Sequence, residues 1–472
     1  MKVLLCASEG APFAKTGGLA DVVGALPKPL KAHGIDVRVI MPYYKKIKEK
    51  NIAYYQGYAY VKMGERTEYV GVFHSIYEGI DFYFIDSDRY FGRDGFYGYG
   101  DDGERFAYFD FAVLEALKVV NFFPDVIHLN DWQTGLIPYI LKANYWADEN
   151  FNKIKTIYSI HNIQYQGNFP MDLKNILYMP YSVSLEFNGC INFMKAAIME
   201  SHFITTVSPT YKDEVLTDYY GYNLNNVLGL RYFDFYGILN GIDTEKFDPA
   251  TDKNIYKNYT VKTFAAGKKA NKEGLLKEFG LDTDDVPLFG LVSRLVDQKG
   301  IDLLMPIMDD LINYSNAKFI LMGSGDKIYE DFFRNMEAKY PTRFKSYIGY
   351  SDQIAQKIYA GADIFLMPSK FEPCGLGQMI AMRYGTLPLV RETGGLKDSV
   401  IPYNQYTSSG TGFSFTNFNA HDLKNVMFLA LNTYNNNKDV WKKLVKQAME
   451  ADYSWDKSAL TYIELYNKVL NK

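Results

Sequence analysis

The residues able to do chemistry fall in short segments that follow apolar runs. Residues 8–26 include Lys15-Thr16-Gly17-Gly18-Leu19-Ala20-Asp21. There a strand gives way to a glycine-rich loop and then a helix, so backbone N–H groups and the positive end of a helix can approach a ligand. Lys15 adds a full charge, which suits a phosphate or a cluster of sugar hydroxyls. Asp21, in the first helical turn, opposes a purely anion-binding role; it either fixes sugar hydroxyls or complements the helix dipole. His128-Leu129-Asn130-Asp131-Trp132-Gln133-Thr134-Gly135 comes directly after a second apolar run. Asp131, Trp132 and Gln133 would make a sugar platform there, unless Asp131 caps the next helix and Trp132 packs. His161-Asn162-Ile163-Gln164-Tyr165-Gln166-Gly167 follows a third run.

In the second half, Ser293-Arg294-Leu295-Val296-Asp297-Gln298-Lys299-Gly300 follows another strand. Arg294 and Lys299 on one loop can converge on a diphosphate, one as a planar fork and the other as a point charge. Met322-Gly323-Ser324-Gly325 lacks the third glycine of a dinucleotide fingerprint and carries little by itself. Ser369-Lys370-Phe371-Glu372-Pro373-Cys374-Gly375-Leu376-Gly377-Gln378 ends a strand and opens a helix. Glu372 offers a carboxylate to hydroxyls, and the N–H groups that follow suit a leaving diphosphate.

No metal is expected. The six histidines and three cysteines show no HxxxH or CxxC spacing for zinc. Of the two Asp-x-Asp patterns, Asp282-Thr283-Asp284 lies in a polar connection and Asp86-Ser87-Asp88 lacks a supporting context.

These segments need elements to hold them. Apolar runs alternating with helical patterns predict parallel βαβ units. The strand candidates are 3–7, 36–41, 82–85, 126–129, 156–160, 204–207 and 236–239, then 288–292, 318–322, 346–348, 363–367 and 387–390. Residues 251–272 are polar and without strong periodicity, which places a boundary just before them. The expected domains are therefore 1–245 and 246–452. Residues 453–472 form a helix with Tyr462, Leu465, Tyr466 and Val469 on one face, crossing back onto the first domain. Thr16-Gly17-Gly18-Leu19-Ala20-Asp21-Val22-Val23 is echoed by Thr393-Gly394-Gly395-Leu396-Lys397-Asp398-Ser399-Val400. Once in each half, the echo points to two related Rossmann-like lobes, with ligands at the carboxyl ends of strands.

Bulk properties agree. A chain of 472 residues exceeds one ordinary core. The 51 basic and 55 acidic residues leave no basic excess for nucleic acid. Cys6, Cys190 and Cys374 are too few and too scattered for a disulfide framework, so a reducing, cytoplasmic setting is expected. No leader or membrane-spanning apolar run is read in the sequence. The 40 Tyr and 32 Phe serve mostly the core, although tyrosine also suits sugar stacking.

In order and spacing, KTGGLADV, HLNDWQTG, HNIQYQG, SRLVDQKG, IGYSD, and FEPCGLGQ with ETGGLKDSV resemble the bacterial glycogen synthase and plant starch synthase family, from Met1 to about Trp455. The resemblance implies a GT-B fold, with two Rossmann-like domains facing a central cleft. It also implies retaining transfer of glucose from ADP-glucose to the non-reducing end of an α-1,4-glucan, with no metal or cofactor. By matching motifs, Arg294 and Lys299 hold the diphosphate, while Lys15 and Gly18 approach the distal phosphate and glucose. Glu372 sits at the glucose, with Cys374, Gly375 and Leu376 beside it at the helix start. Asp21, His161 with the adjoining Asn162, and Asn240 contact the glucose. Tyr350 lies against the base, and Asp131 faces the acceptor. One departure is Gly377, where many relatives carry threonine; a lost hydroxyl there would weaken donor binding. No starch-binding extension is read beyond the two lobes. The alternatives are UDP-glucose as donor, a glucan phosphorylase needing pyridoxal phosphate on a lysine, and an inactive glucan-binding scaffold.

Overall fold

Apolar runs such as Val3-Leu4-Leu5-Cys6 are wholly buried, as expected of parallel strands covered on both faces. The computed structural model describes every residue except Tyr178, Pro180 and Tyr181. The chain divides into two compact units, Met1–Asn240 together with Trp455–Lys472, and Gly241–Ser454.

In the first unit the strands are β1 (Lys2–Cys6), β2 (Asp36–Pro42), β3 (Tyr54–Met63), β4 (Arg66–Tyr77), β5 (Ile80–Asp86), β6 (Val126–Asn130) and β7 (Lys155–Ile160). The short β8 (Asn168–Phe169), β9 (Glu186–Phe187) and β10 (Cys190–Asn192) form a separate antiparallel sheet, and β11 (Phe203–Thr206) and β12 (Phe235–Gly237) follow. Among the described residues the main sheet has nine strands in the order β12-β11-β7-β6-β1-β2-β5-β4-β3. It is parallel except where β4 pairs with β3 and β5. Strand order reverses between β1 and β6. In parallel sheets ligands are held at the carboxyl ends of the strands beside such a reversal. Lys15 lies on the loop after β1, Asp131 just after β6, and His161 just after β7.

The second unit has β13 (Leu288–Val292), β14 (Lys318–Gly323), β15 (Phe344–Ile348), β16 (Ile364–Met367), β17 (Leu387–Arg391) and β18 (Phe413–Phe415). They form one parallel sheet ordered β15-β14-β13-β16-β17-β18. Its reversal lies between β13 and β16, whose following loops carry Arg294 and Lys299 on one side and Glu372 on the other.

Helix Trp455–Leu470 belongs to the first unit and buries Tyr462, Leu465, Tyr466 and Val469. Its anchor is His128 of β6. The ring Nδ1 lies 2.8 Å from the Tyr466 hydroxyl and Nε2 lies 2.6 Å from Ser159 Oγ. Burial pushes the imidazole pKa down to about 3, so the ring is neutral and both nitrogens are used.

The structure departs from the sequence reading in four places. β3, β4 and β18 were not foreseen, and neither was the small sheet. Helix Phe264–Glu278 begins inside the stretch read as aperiodic. Its inner face is partly polar, which hides the period. Asn271 donates to the Lys257 and Gly267 carbonyls, and Lys272 pairs with Asp363 at 2.7 Å.

Replacing Tyr466 with Phe leaves a buried His128 nitrogen without its partner. The expected loss is about 1–3 kcal/mol of stability, read as a lower urea midpoint for the first unit, whereas an unchanged midpoint would show that this contact does not hold the helix.

Candidate active site

The loop after β1 is pinned by Glu9, a residue given no role in the sequence reading. Its buried carboxylate accepts the Thr16 backbone N–H, the Thr16 hydroxyl at 2.6 Å and the Tyr97 hydroxyl at 2.7 Å. A carboxylate three residues past β1 gives no sequence signal of such a clamp, because its partners are the backbone and hydroxyl of Thr16 and a tyrosine 88 residues away. Beyond the clamp, Lys15 Nζ pairs with Asp21 Oδ1 at 2.6 Å. Gly17 and Gly18 have no positive φ, and a side chain on either would meet nothing within 4 Å. The protein's own packing does not require glycine at either position.

Asp131 adopts φ +58, a conformation costing a non-glycine residue on the order of 1–3 kcal/mol. In return its carboxylate accepts the N–H groups of His161, at 2.8 Å, and Asn162. It therefore ties the loop after β7 to that after β6 and does not cap the next helix. Burial pushes its carboxyl up to about 7. His161 Nε2 lies 2.9 Å from the Asn130 amide oxygen. The Asn130 amide nitrogen donates to the Cys6 and His128 carbonyls, so Nε2 carries the His161 proton. Burial lowers this imidazole to about 4, leaving it uncharged at neutral pH. The Trp132 platform is not seen. That ring packs edge-to-face with Phe106 and Phe193 and tilted against Phe169. Asn240 is buried, and its amide oxygen has no hydrogen-bond partner among the described residues.

In the second unit the two loops at the strand reversal are stitched together. Lys299 Nζ pairs with Glu372 Oε2 at 2.6 Å, and Ser369 Oγ donates to the same oxygen at 3.0 Å. The Lys370 N–H donates to the Gln298 carbonyl, and Gln298 Nε2 to the Phe371 carbonyl. Gly300, at φ +68, lies so close that a Cβ would sit 2.0 Å from the Pro368 oxygen. Arg294 is exposed and reaches Gln298 at 3.4 Å, not Glu372. Cys374 is buried with Sγ against the Gly375 carbonyl, and Leu376 precedes helix Gly377–Arg383. A side chain on Gly377 would crowd Phe365 at 3.1 Å. Tyr350 stands apart, largely exposed, its hydroxyl donating to Asp352 at 2.6 Å.

The second copy of the glycine repeat has a different use. Side chains on Gly394 and Gly395 would strike the Glu372 and Cys374 carbonyls at 2.0 and 2.1 Å, so this copy supports the Glu372 loop from behind. As for the Asp-x-Asp pairs, Lys48 bridges Asp86 and Asp88, and Lys318 pairs with Asp284. Among the described residues no His, Cys, Asp and Glu group has a metal-binding arrangement, and no helix is long and apolar enough to cross a membrane.

The raised Asp131 pKa has a sign. A carboxyl that titrates at about 7 when folded and near 4 when unfolded favours the fold below about pH 4 and loses that contribution as pH rises to 7. Asp131→Asn removes the ionisation and keeps an acceptor for the His161 N–H. Its stability relative to the parent is expected to improve as pH is raised from 5 to about 8, measured by denaturation at each pH; a pH-independent difference would contradict the burial argument.

Comparison with known proteins adds a family. Residues 2–229 match the starch synthase catalytic domain and residues 275–447 match glycosyl transferases group 1. The chain is 49% identical to the glycogen synthase of Acholeplasma laidlawii, covering 100% of both chains. It is also 49% identical to that of Clostridium perfringens, covering 100% of this chain and 98% of the other. Among solved structures, the catalytic domain of starch synthase IV from Arabidopsis thaliana, bound to ADP and acarbose, superposes with a TM-score of 0.90 at 33% identity, covering 100% and 99% of the two chains. Sucrose-phosphate synthase from Thermosynechococcus elongatus, at TM-score 0.61 and 17% identity, shares the fold. With both halves matched in order and full-length relatives at this identity, the chain belongs to the glycogen synthase and starch synthase family of GT-B glycosyltransferases.

Proposed function

We propose that this chain transfers glucose from ADP-glucose to the non-reducing end of an α-1,4-glucan, with retention at the anomeric carbon, in the cytoplasm and without a metal ion. The observation that carries the reading is the Lys299–Glu372 pair, held at the strand reversal in a chain 49% identical to glycogen synthases over its whole length. ADP in the related starch synthase supports adenine as the donor base.

The chemistry follows from charge. Breaking the bond from C1 to the diphosphate oxygen leaves positive charge on the sugar ring and negative charge on the diphosphate. Arg294 and Lys299 would stabilise the latter, a task elsewhere given to a metal ion. Glu372 is held by Lys299 and Ser369, so it suits accepting hydrogen bonds from glucose hydroxyls better than attacking C1. Cys374, Gly375 and Leu376 would lie beside the glucose and phosphates. In the first unit, the open backbone at Gly17 and Gly18 leaves room for phosphate and sugar beside Lys15 and Asp21. Neutral His161 with Asn162, and the unpartnered Asn240 amide oxygen, suit sugar hydroxyls. The exposed Tyr350 ring would take the base, and Asp131 would face the acceptor. A front-face displacement, in which the departing phosphate takes the acceptor proton, completes the step without a protein nucleophile.

Glucose transfer to glycogen, assayed with ADP-glucose and UDP-glucose at saturating donor and with EDTA present, tests this directly. Turnover is expected with ADP-glucose and unaffected by EDTA. Preference for UDP-glucose would overturn the donor, loss to EDTA the metal independence, and inactivity with both donors the enzyme. Arg294→Ala, at an exposed position, should keep the fold and lower kcat on the order of 10²-fold; an unchanged rate would remove Arg294 from the diphosphate.

A further inference from the structure

Asn130, the last residue of β6, is wholly buried. An amide can present either its oxygen or its nitrogen to a neighbour, and here the surroundings leave one choice. The nitrogen donates to the Cys6 carbonyl at 3.1 Å and to the His128 carbonyl at 3.2 Å, two groups that can only accept. The oxygen is thereby turned toward His161 and takes the Nε2 proton at 2.9 Å. The end of the strand is fixed as well, because the Asn130 backbone N–H donates to Thr134 Oγ1 at 2.9 Å. The His161 backbone is held separately, by the Asp131 carboxylate. Neighbours within the first unit therefore set both the place of the ring and its tautomer. Among the described residues the bond to Asn130 is the only hydrogen bond to the ring, which leaves Nδ1 without a partner on a half-buried side chain.

An imidazole nitrogen that lacks its proton is an acceptor only. It takes a hydrogen bond from a hydroxyl. A phosphate or carboxylate oxygen, with no proton to give at neutral pH, would set lone pair against lone pair. What stands behind the ring then decides its charge. A carboxylate there would favour the imidazolium and make the ring a base; the Asn130 amide is uncharged and does neither. The other titratable groups nearby are His128, itself neutral, and Asp131, with Glu9, Tyr158 and Tyr211 beyond it. Burial is what lowers the ring's own pKa. Neutrality matters because C1 becomes positive as its bond to the diphosphate breaks, and an imidazolium beside it would oppose that charge. We propose that Asn130 is a positioning residue: its neutral amide holds the His161 ring uncharged, with Nδ1 as an acceptor-only face toward a hydroxyl of the transferred glucose. The proposal rests on the reading above that places His161 at the glucose.

Asn130→Asp keeps an acceptor for Nε2 and adds the charge that the amide lacks. At about pH 6 its kcat is expected to lie at least about tenfold below the parent's, and the ratio of the two should climb toward one as pH is raised to about 9. The climb follows because the ring is cationic only at the lower pH. A ratio that is low but flat across that range would make Asn130 merely structural and overturn the proposal, as would a ratio of one throughout. In the parent, long-range proton–nitrogen NMR spectra report the tautomer directly, with the His161 signals identified by their loss in His161→Gln. They should show the proton on Nε2 and no titration between about pH 5.5 and 8. A proton on Nδ1, or protonation within that range, overturns the proposal even where Asn130→Asp does not fold. A parent with the expected spectrum that transfers glucose from neither donor would sink the proposed function and with it the glucose contact, while the tautomer would stand.

Discussion

Glu372 is an acidic side chain held almost wholly out of water, and much of the second unit is arranged around that fact. Removing a carboxylate from solvent costs several kcal/mol unless a partner and further hydrogen bonds offset it. Lys299 and Ser369 supply them. For Lys299 to arrive, the loop after β13 must touch the loop after β16, which is possible only because Gly300 has no side chain to strike Pro368. The Gly394-Gly395 pair, pressed on the Glu372 and Cys374 carbonyls, then fixes the loop from the other side. Such a pair contributes little net stability, but it gives the carboxylate one direction in which to point.

The first unit solves the same problem differently. Its glycine loop is held by Glu9 through Thr16 and Tyr97, and the glycines themselves remain open. The two copies of the repeat thus share only a local setting, after a strand and at the start of a short helix, while their glycines serve opposite purposes. One copy makes room for something outside the protein. The other permits contact within it. Asp131 adds a second clamp by spending backbone strain to fix the loop that carries His161.

What the sequence made legible follows the same division. Parallel strands were readable because burial on both faces makes them continuous apolar runs, and the ends moved by only one or two residues. Strands β3 and β4 escaped because tyrosines facing outward erase the alternation that marks a half-buried strand. Helix Phe264–Glu278 escaped because its inner face includes Asn271 and Lys272. Among site residues, Lys15, Glu372 and Lys299 announced themselves by charge beside glycine. Glu9 did not, since its partners are set by tertiary folding. Trp132 looked like a sugar platform only while Phe106, Phe169 and Phe193 were distant in the sequence.

The bond between His128 and Tyr466 joins residues 338 positions apart. The chain leaves the first unit at Asn240 and re-enters it at Trp455, so the whole second unit lies inside a loop that this contact closes. During synthesis the first sheet is complete in strands long before the segment that covers His128 has been made. Until then a buried-type histidine and the apolar surface around it remain open to water or to other chains. The last residues made are therefore the ones that seal the first sheet, and the closing entropy of so long a loop is reduced only if the intervening unit has already folded.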